Sequence, residues 1–288
     1  MPEKEINLQG RAASVLRFPA RRAAPPVQAV EPPAPGATAY AELHCISNFS
    51  FQRGASHPDE LVLRALELGY TAMALTDECS VGGTVRGWDG LRQFHKHFAE
   101  TWRKDHPDAG DPPEPPTLQL LYGAEFALED GARLVAIARH LDGWGGLCQS
   151  ITAARMAADK GDYDIAAIDW SLLAGCERIY LPARGTDHAR VQAAIDQARE
   201  RFGAQGLWLG VQLLCDFDDD LWLALLQQAG ESSGLPLLAC GDVHMHAAGR
   251  KPLQDVISAV REGRTVGECG WALQRNAQRY LRPLARLA

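Results

Sequence analysis

The sequence has no C-x-x-C pair, no apolar run long enough to span a bilayer and no excess of positive charge. Each absence narrows the function. Seven cysteines, at 45, 79, 148, 176, 215, 240 and 269, are odd in number and scattered, which argues against a disulfide framework. No N-terminal apolar stretch resembles a signal peptide or a membrane span, so a cytoplasmic protein with free thiols is expected. Lys and Arg total 29 against 36 Asp and Glu, a net charge of -7. No global field gathers nucleic acid, although a local basic stripe stays compatible with this charge, so nucleic-acid binding is not argued from it. What the chain does have is material for a core: 288 residues, 46% of them hydrophobic, enough for one large α/β barrel or two ordinary domains.

Residues 1–38 read as a separate arm. Arg and Ala surround a few hydrophobes over 11–22, and Pro and Ala dominate 24–38, a composition that buries too little apolar surface to fold alone. A disordered, partly polyproline segment is expected, with 14–19 as linker rather than docking motif. From Tyr40 the pattern changes. Residues 40–46 alternate like a strand that puts Glu42, His44 and Ile46 on one face. Ser56, Pro58 and Asp59 predict a helix start with Ser56 as N-cap, and Gly69 predicts its stop. Residues 72–76 form an apolar run ending in Asp77-Glu78, and 118–122 form another ending at Glu125.

The second half repeats the alternation. Strands are predicted at 132–138, 179–182, 207–214 and 235–239, with helices at 144–158, 187–202 and 221–229 between them. Such βα repetition predicts a parallel sheet or barrel. Between the halves, residues 81–117 open with four glycines, continue helix-like from Phe94, and end in a Pro-rich loop. His95 and His97 are two apart, so on a helix they diverge and are expected in solvent. The acidic run 216–220 reads as a solvated loop and helix cap, and the arginines at 275, 279, 282 and 286 as a solvated helix face.

The last strand leads into Cys240-Gly241-Asp242-Val243-His244-Met245-His246. In an extended segment Asp242, His244 and His246 share a face, and carboxylate with imidazole is a metal-ligand combination presented at a strand's C-terminal end. A polar turn satisfying its own backbone is the other reading. Partners elsewhere, His44, Asp77, Glu78 and Glu125, also sit at predicted strand ends.

Taken together, residues 42–51, 53–58, 74–80, 123–126 and 241–246 resemble the PHP (polymerase and histidinol phosphatase) domain, and more narrowly the N-terminal PHP domain of error-prone C-family DNA polymerases, from about Tyr40 to the C-terminus. The resemblance implies a distorted (βα)7 barrel over 39–288, with 247–288 as a helical edge leading towards a polymerase body. It implies a divalent-metal phosphoesterase cluster at the strand ends, with His44, Glu125, Asp242 and His244 as retained ligands and Asp77, Glu78 and His246 in support. Other positions depart from the pattern. Ile46 and Glu78 stand where histidines are usual, and Arg53, Arg133 and Arg184 stand near positions of an acid, His or Cys. Apolar side chains do not ligate and arginines repel metal, so Arg133 and Arg184 are expected to replace metal charge by pairing with Glu125 or Asp242. The expected cofactor is therefore none, or one Zn or Mn at a residual site. The resemblance implies part of a DNA-directed DNA polymerase that touches DNA only indirectly through these residues, and no polymerase palm is expected within them. The expected role is structural, in damage-tolerant synthesis and DNA repair, with the rest of a polymerase or mutasome proteins as partners. A free-standing metal-dependent phosphoesterase is the alternative.

Overall fold

The computed structural model describes residues 39–287 apart from 109 and 186; the arm expected over 1–38 lies outside the described residues. Seven strands form one sheet in chain order, β1 (Ala41–Glu42), β2 (Ala72–Leu75), β3 (Gln119–Ala127), β4 (Arg133–Ala138), β5 (Cys176–Leu181), β6 (Leu207–Val211) and β7 (Leu237–Ala239). The sheet curls on itself. Beyond β7, Val243 bridges Cys45 in parallel, and Ile46 N–H donates to the Val243 carbonyl at 2.9 Å. This is a distorted α/β barrel, closed by two bridging segments rather than by full strands.

The barrel expected from the βα alternation is present, but its sheet is not parallel throughout. β4 runs antiparallel to both β3 and β5. Only residues 128–132 link β3 to β4, and a parallel connection needs a crossover of a dozen residues or more, so the chain has to turn back as a hairpin. Inside the barrel pack Ala74, Val135, Ile137, Ile179, Leu181 and Cys240.

Helices α1 (Pro58–Glu67), α2 (Thr84–Asp105), α3 (Leu141–Met156), α4 (His188–Phe202), α5 (Asp219–Ser233), α6 (Lys251–Glu262) and the short α7 (Val266–Cys269) surround the sheet. Two boundaries move from expectation. The N-cap of α1 is His57, in a capping box with Glu60, because the Ser56 hydroxyl is taken by His246. α2 begins ten residues before Phe94, so Gly87 and Gly90, which precede the helix-like stretch in the sequence, lie within the helix. They let it dock closely: a Cβ on Gly87 would sit 2.5 Å from a Leu75 methyl, and one on Gly90 2.9 Å from the Asp59 Cβ.

The C-terminal residues are not the expected solvated helix. Residues 273–283 form an irregular strap of bends with a single β-bridge: Tyr280 bridges Met245, Leu281 is fully buried against the α1 and α2 cluster, and the Tyr70 hydroxyl donates to the Arg282 carbonyl at 2.7 Å. No helix among the described residues is long and apolar enough to cross a membrane.

Candidate metal centre

The barrel mouth is built on strand ends. His44 follows β1, Glu125 lies near the end of β3, and Asp242 and His244 follow β7, which brings four residues distant in sequence to one buried point. Single ligand atoms of His44, Glu125 and Asp242 lie within 4.8 Å of one another, spacing that could hold a metal ion. Asp242 has φ +47°, a left-handed conformation that Asp tolerates better than most residues. That turn ends the extended run, and of the three residues expected on a shared face only Asp242 and His244 stay together, 3.0 Å apart. His246 leaves the cluster, binding the Ser56 hydroxyl at 2.8 Å and lying 3.9 Å from Glu60.

Two parallel chains of hydrogen bonds organise the centre. Gln212 Nε2 lies 2.8 Å from His44 Nδ1, while His44 Nε2 lies 2.6 Å from Glu125 Oε2. Gln274 Nε2 lies 3.0 Å from His244 Nδ1, while His244 Nε2 lies 3.0 Å from Asp242 Oδ1. In each chain Nδ1 pairs with a glutamine amide and Nε2 with a carboxylate. Burial, then Arg53 and Arg133, hold the His244 pKa well below the ordinary histidine value, so this ring is neutral.

The carboxylates are capped by guanidinium groups. Arg53 pairs with Glu125 and lies 2.5 Å from Glu78; both contacts come from Nη1. Arg133 Nη1 sits between the acids, 3.5 Å from Glu125 and 3.7 Å from Asp242. Arg279, from the C-terminal strap, pairs with Asp242. Burial pushes the Glu125 carboxyl up, but Arg53 and Arg133 outweigh it and hold the group well below the usual carboxylate range. Burial, with the nearby Arg133 and Arg53 charges, lowers Arg279 to about 10. Three arginines thus face three acids, Glu78, Glu125 and Asp242.

This donor set does not fit a metal cluster. Both ring nitrogens of each imidazole are already engaged, Nδ1 with a glutamine amide and Nε2 with an acid. Three fixed positive charges occupy the carboxylates a cation needs. Ile46 is fully buried and offers no ligand atom.

Other expected residues lie elsewhere. Asp77 is buried but holds a turn, accepting from Ser47 N–H at 2.7 Å and the Ser50 hydroxyl at 2.7 Å, and burial raises its pKa. Glu78 borders the site through Arg53 and accepts from the Tyr163 hydroxyl at 2.9 Å. The expectation that Arg184 pairs with Glu125 or Asp242 is corrected: it binds Asp218 at 2.9 Å and Asp219 at 2.6 Å, with Asp216 at 3.5 Å. Those acids lie between β6 and the first turn of α5, where they meet Arg184 just past the end of β5; the expected helix cap holds, with Asp218 at the N-cap of α5, and the solvated loop is in addition tied by ion pairs. Sequence reasoning missed Gln212, Gln274 and Arg279. Only their position on strand ends and on the strap could have flagged them, since neutral amides and a lone arginine carry no spacing signal.

Residues 42–212 match the PHP domain family. Two relatives, both named error-prone DNA polymerase, are similar over most of the chain. The protein from Azoarcus sp. is 42% identical over 266 residues, covering 86% of this chain and 24% of its own length. That from Pseudomonas aeruginosa is 45% identical over 251 residues, covering 87% of this chain and 22% of its own. The chain therefore spans less than a quarter of the length of these relatives. Among solved structures, an amidohydrolase from Chromobacterium violaceum with bound sulfate and no metal aligns over 71% of this chain and 87% of its own, at 15% identity and a TM-score of 0.41.

Proposed function

The chain belongs to the PHP domain family, and we propose that it is the PHP portion of an error-prone DNA polymerase in which the ancestral metal centre has become a structural salt-bridge core. The names and lengths of the relatives support the polymerase assignment, and nucleotidyl transfer then belongs to the part of those relatives that this chain does not span. The observation that carries the structural role is the arginine capping of Glu125 and Asp242. A hydrolytic PHP site needs metals to make hydroxide and to neutralise a phosphoryl group. Here guanidinium groups already neutralise the acids, and the histidines are committed to hydrogen bonds. The role in damage-tolerant synthesis and repair follows the same assignment: the barrel stabilises and positions a polymerase body, directly or with mutasome partners, in the cytoplasm.

The alternative, a metal-dependent phosphoesterase, has one observation in its favour, the close approach of His44, Glu125 and Asp242 donor atoms. Elemental analysis separates the two. The purified chain is expected to hold far less than one equivalent of zinc or manganese after dialysis against either, and to release no phosphate from phosphomonoesters or nucleotides. Stoichiometric metal, with hydrolysis abolished in Asp242→Asn, would overturn the structural reading.

A further inference from the structure

The C-terminal part of the described chain carries a series of exposed apolar side chains. Phe217 and Leu221, at the start of α5, are exposed, as are Leu253, Val256 and Val260 on α6 and Trp271 just beyond α7. All six lie outside residues 42–212, the part that matches the PHP family. α6 is inverted for a surface helix. Its buried residues are Gln254, Ser258 and Ala259, while Leu253, Val256 and Val260, spaced i, i+3, i+7, form an exposed stripe. Water is the wrong neighbour for such a face.

Near it stands a preassembled aromatic cluster. Trp271 and Phe217 are 89% and 90% exposed, yet the Arg275 guanidinium lies 5.7 Å from one ring and 5.9 Å from the other. α7 packs on α6 and leads directly to Trp271. Trp and Arg are the residue types that dominate binding energy at protein interfaces. A nucleic-acid ligand is disfavoured, because four aspartates, 216 and 218–220, flank Phe217 and the chain carries a net charge of -7.

We propose that this face, the α6 stripe with the Trp271–Arg275–Phe217 cluster, is the seat on which the polymerase body docks. The proposal rests on the polymerase reading above. The occupant follows from two facts: the relatives extend beyond the matched region by more than three quarters of their length, and seven of the twelve exposed large hydrophobic side chains among the described residues fall within 217–271, beyond the family-matched residues 42–212. The bare face is then the inner surface of a larger assembly.

The test is a chimaera in which residues 39–288 replace the matching portion of full-length Pseudomonas aeruginosa error-prone DNA polymerase, compared with the 288-residue chain by hydroxyl-radical footprinting. Oxidation of Trp271 and of the α6 residues is expected to fall about fivefold in the chimaera, as for the dry centre of an interface. Val256→Glu with Val260→Glu is expected to leave the melting temperature of the isolated chain within about 2 °C, the effect of exposed substitutions, while lowering that of the chimaera. A chimaera that extends primers with Trp271 and α6 still fully reactive overturns this surface and leaves the polymerase reading standing. A chimaera that extends no primer, where the equivalent graft from the Azoarcus relative does, overturns the polymerase reading itself. Protection already present in the isolated chain assigns the face to another occupant and overturns the proposal: a second copy if the mass is dimeric, residues 1–38 if deleting them restores reactivity.

Discussion

At the scale of single residues, the site depends on charge balance rather than on any one bond. Arg53 is buried and holds both Glu78 and Glu125, so replacing it by methionine keeps most of the volume and leaves the fully buried Glu125 carboxylate with Arg133, 3.5 Å away, as its one remaining guanidinium. Removing one partner of a buried pair costs about 3–5 kcal/mol. Urea unfolding of Arg53→Met should show a loss of that size, and Arg53→Met with Glu125→Gln should recover part of it, because the poorly compensated charge is gone. His244 predicts a pH dependence. Its folded pKa lies well below the unfolded value of about 6.5, so only the unfolded chain takes up this proton as the medium becomes acidic. The stabilising contribution is present above about pH 6.5 and is lost as pH falls towards the folded pKa, at up to about 1.4 kcal/mol per pH unit. Glu125 adds its own loss only below about pH 4.3, its ordinary value. Unfolding curves at pH 7.5, 6.0 and 5.0 should show the decline, flatter in His244→Gln; equal slopes in both proteins would remove His244 as the cause. The sequence exposed the acids and histidines because carboxylate and imidazole at strand ends are a chemical signal. Arg279 and the two glutamines stayed hidden, since what they do is fixed by the folding back of the C-terminal strap.

At the scale of elements, the sequence announced the helices and the buried strands through their periodicity, while it misled on direction. Period-2 alternation reads the same up or down a strand, so the reversal of β4 was visible only in the shortness of the 128–132 link. α2 was obscured by its glycines, which serve packing against α1 and β2 rather than a turn. Gly123 tests the hairpin assignment. A Cβ there would meet the Ala136 carbonyl oxygen on β4 at 2.4 Å, and backbone cannot rotate out of the way as a side chain can. Gly123→Ala should therefore destabilise the chain by about 1–3 kcal/mol through overpacking. The same substitution at Gly145, where a Cβ meets nothing within 4 Å, is the control. Because Gly123 is two residues from Glu125, amide shifts in the mutant should spread across the β3–β4 ladder into the arginine cluster. A mutant as stable as the control would mean that β3 and β4 are not this closely apposed.

At the scale of the whole molecule, the C-terminal strap ties closure of the barrel to the state of the site. Arg279 reaches Asp242 from it, its carbonyl accepts from His244 N–H at 2.9 Å, Leu281 fills the α1–α2 cluster, and the Arg282 guanidinium donates to the Leu213 carbonyl at 3.0 Å. One segment therefore spans the seam at which β1 and β7 fail to pair as full strands. In a barrel whose seam is a single bridge, resistance to opening has to come from such a clasp. Leu281→Ala removes its apolar anchor and leaves a cavity, a change that typically costs about 2–5 kcal/mol. If the strap is structural, the loss will not stay local. Hydrogen exchange should speed up at residues 41–46 and 241–245 together, on both sides of the seam, while β4 and β5 stay protected until global unfolding. Exchange that rises only around residue 281 would make the strap a passive tail and leave the closure of the barrel to the Cys45–Val243 bridge alone. Coupled opening would explain why a site with no fitting metal keeps its acids buried: paired to Arg53, Arg133 and Arg279, they join β1, β3, β7 and the strap into one body.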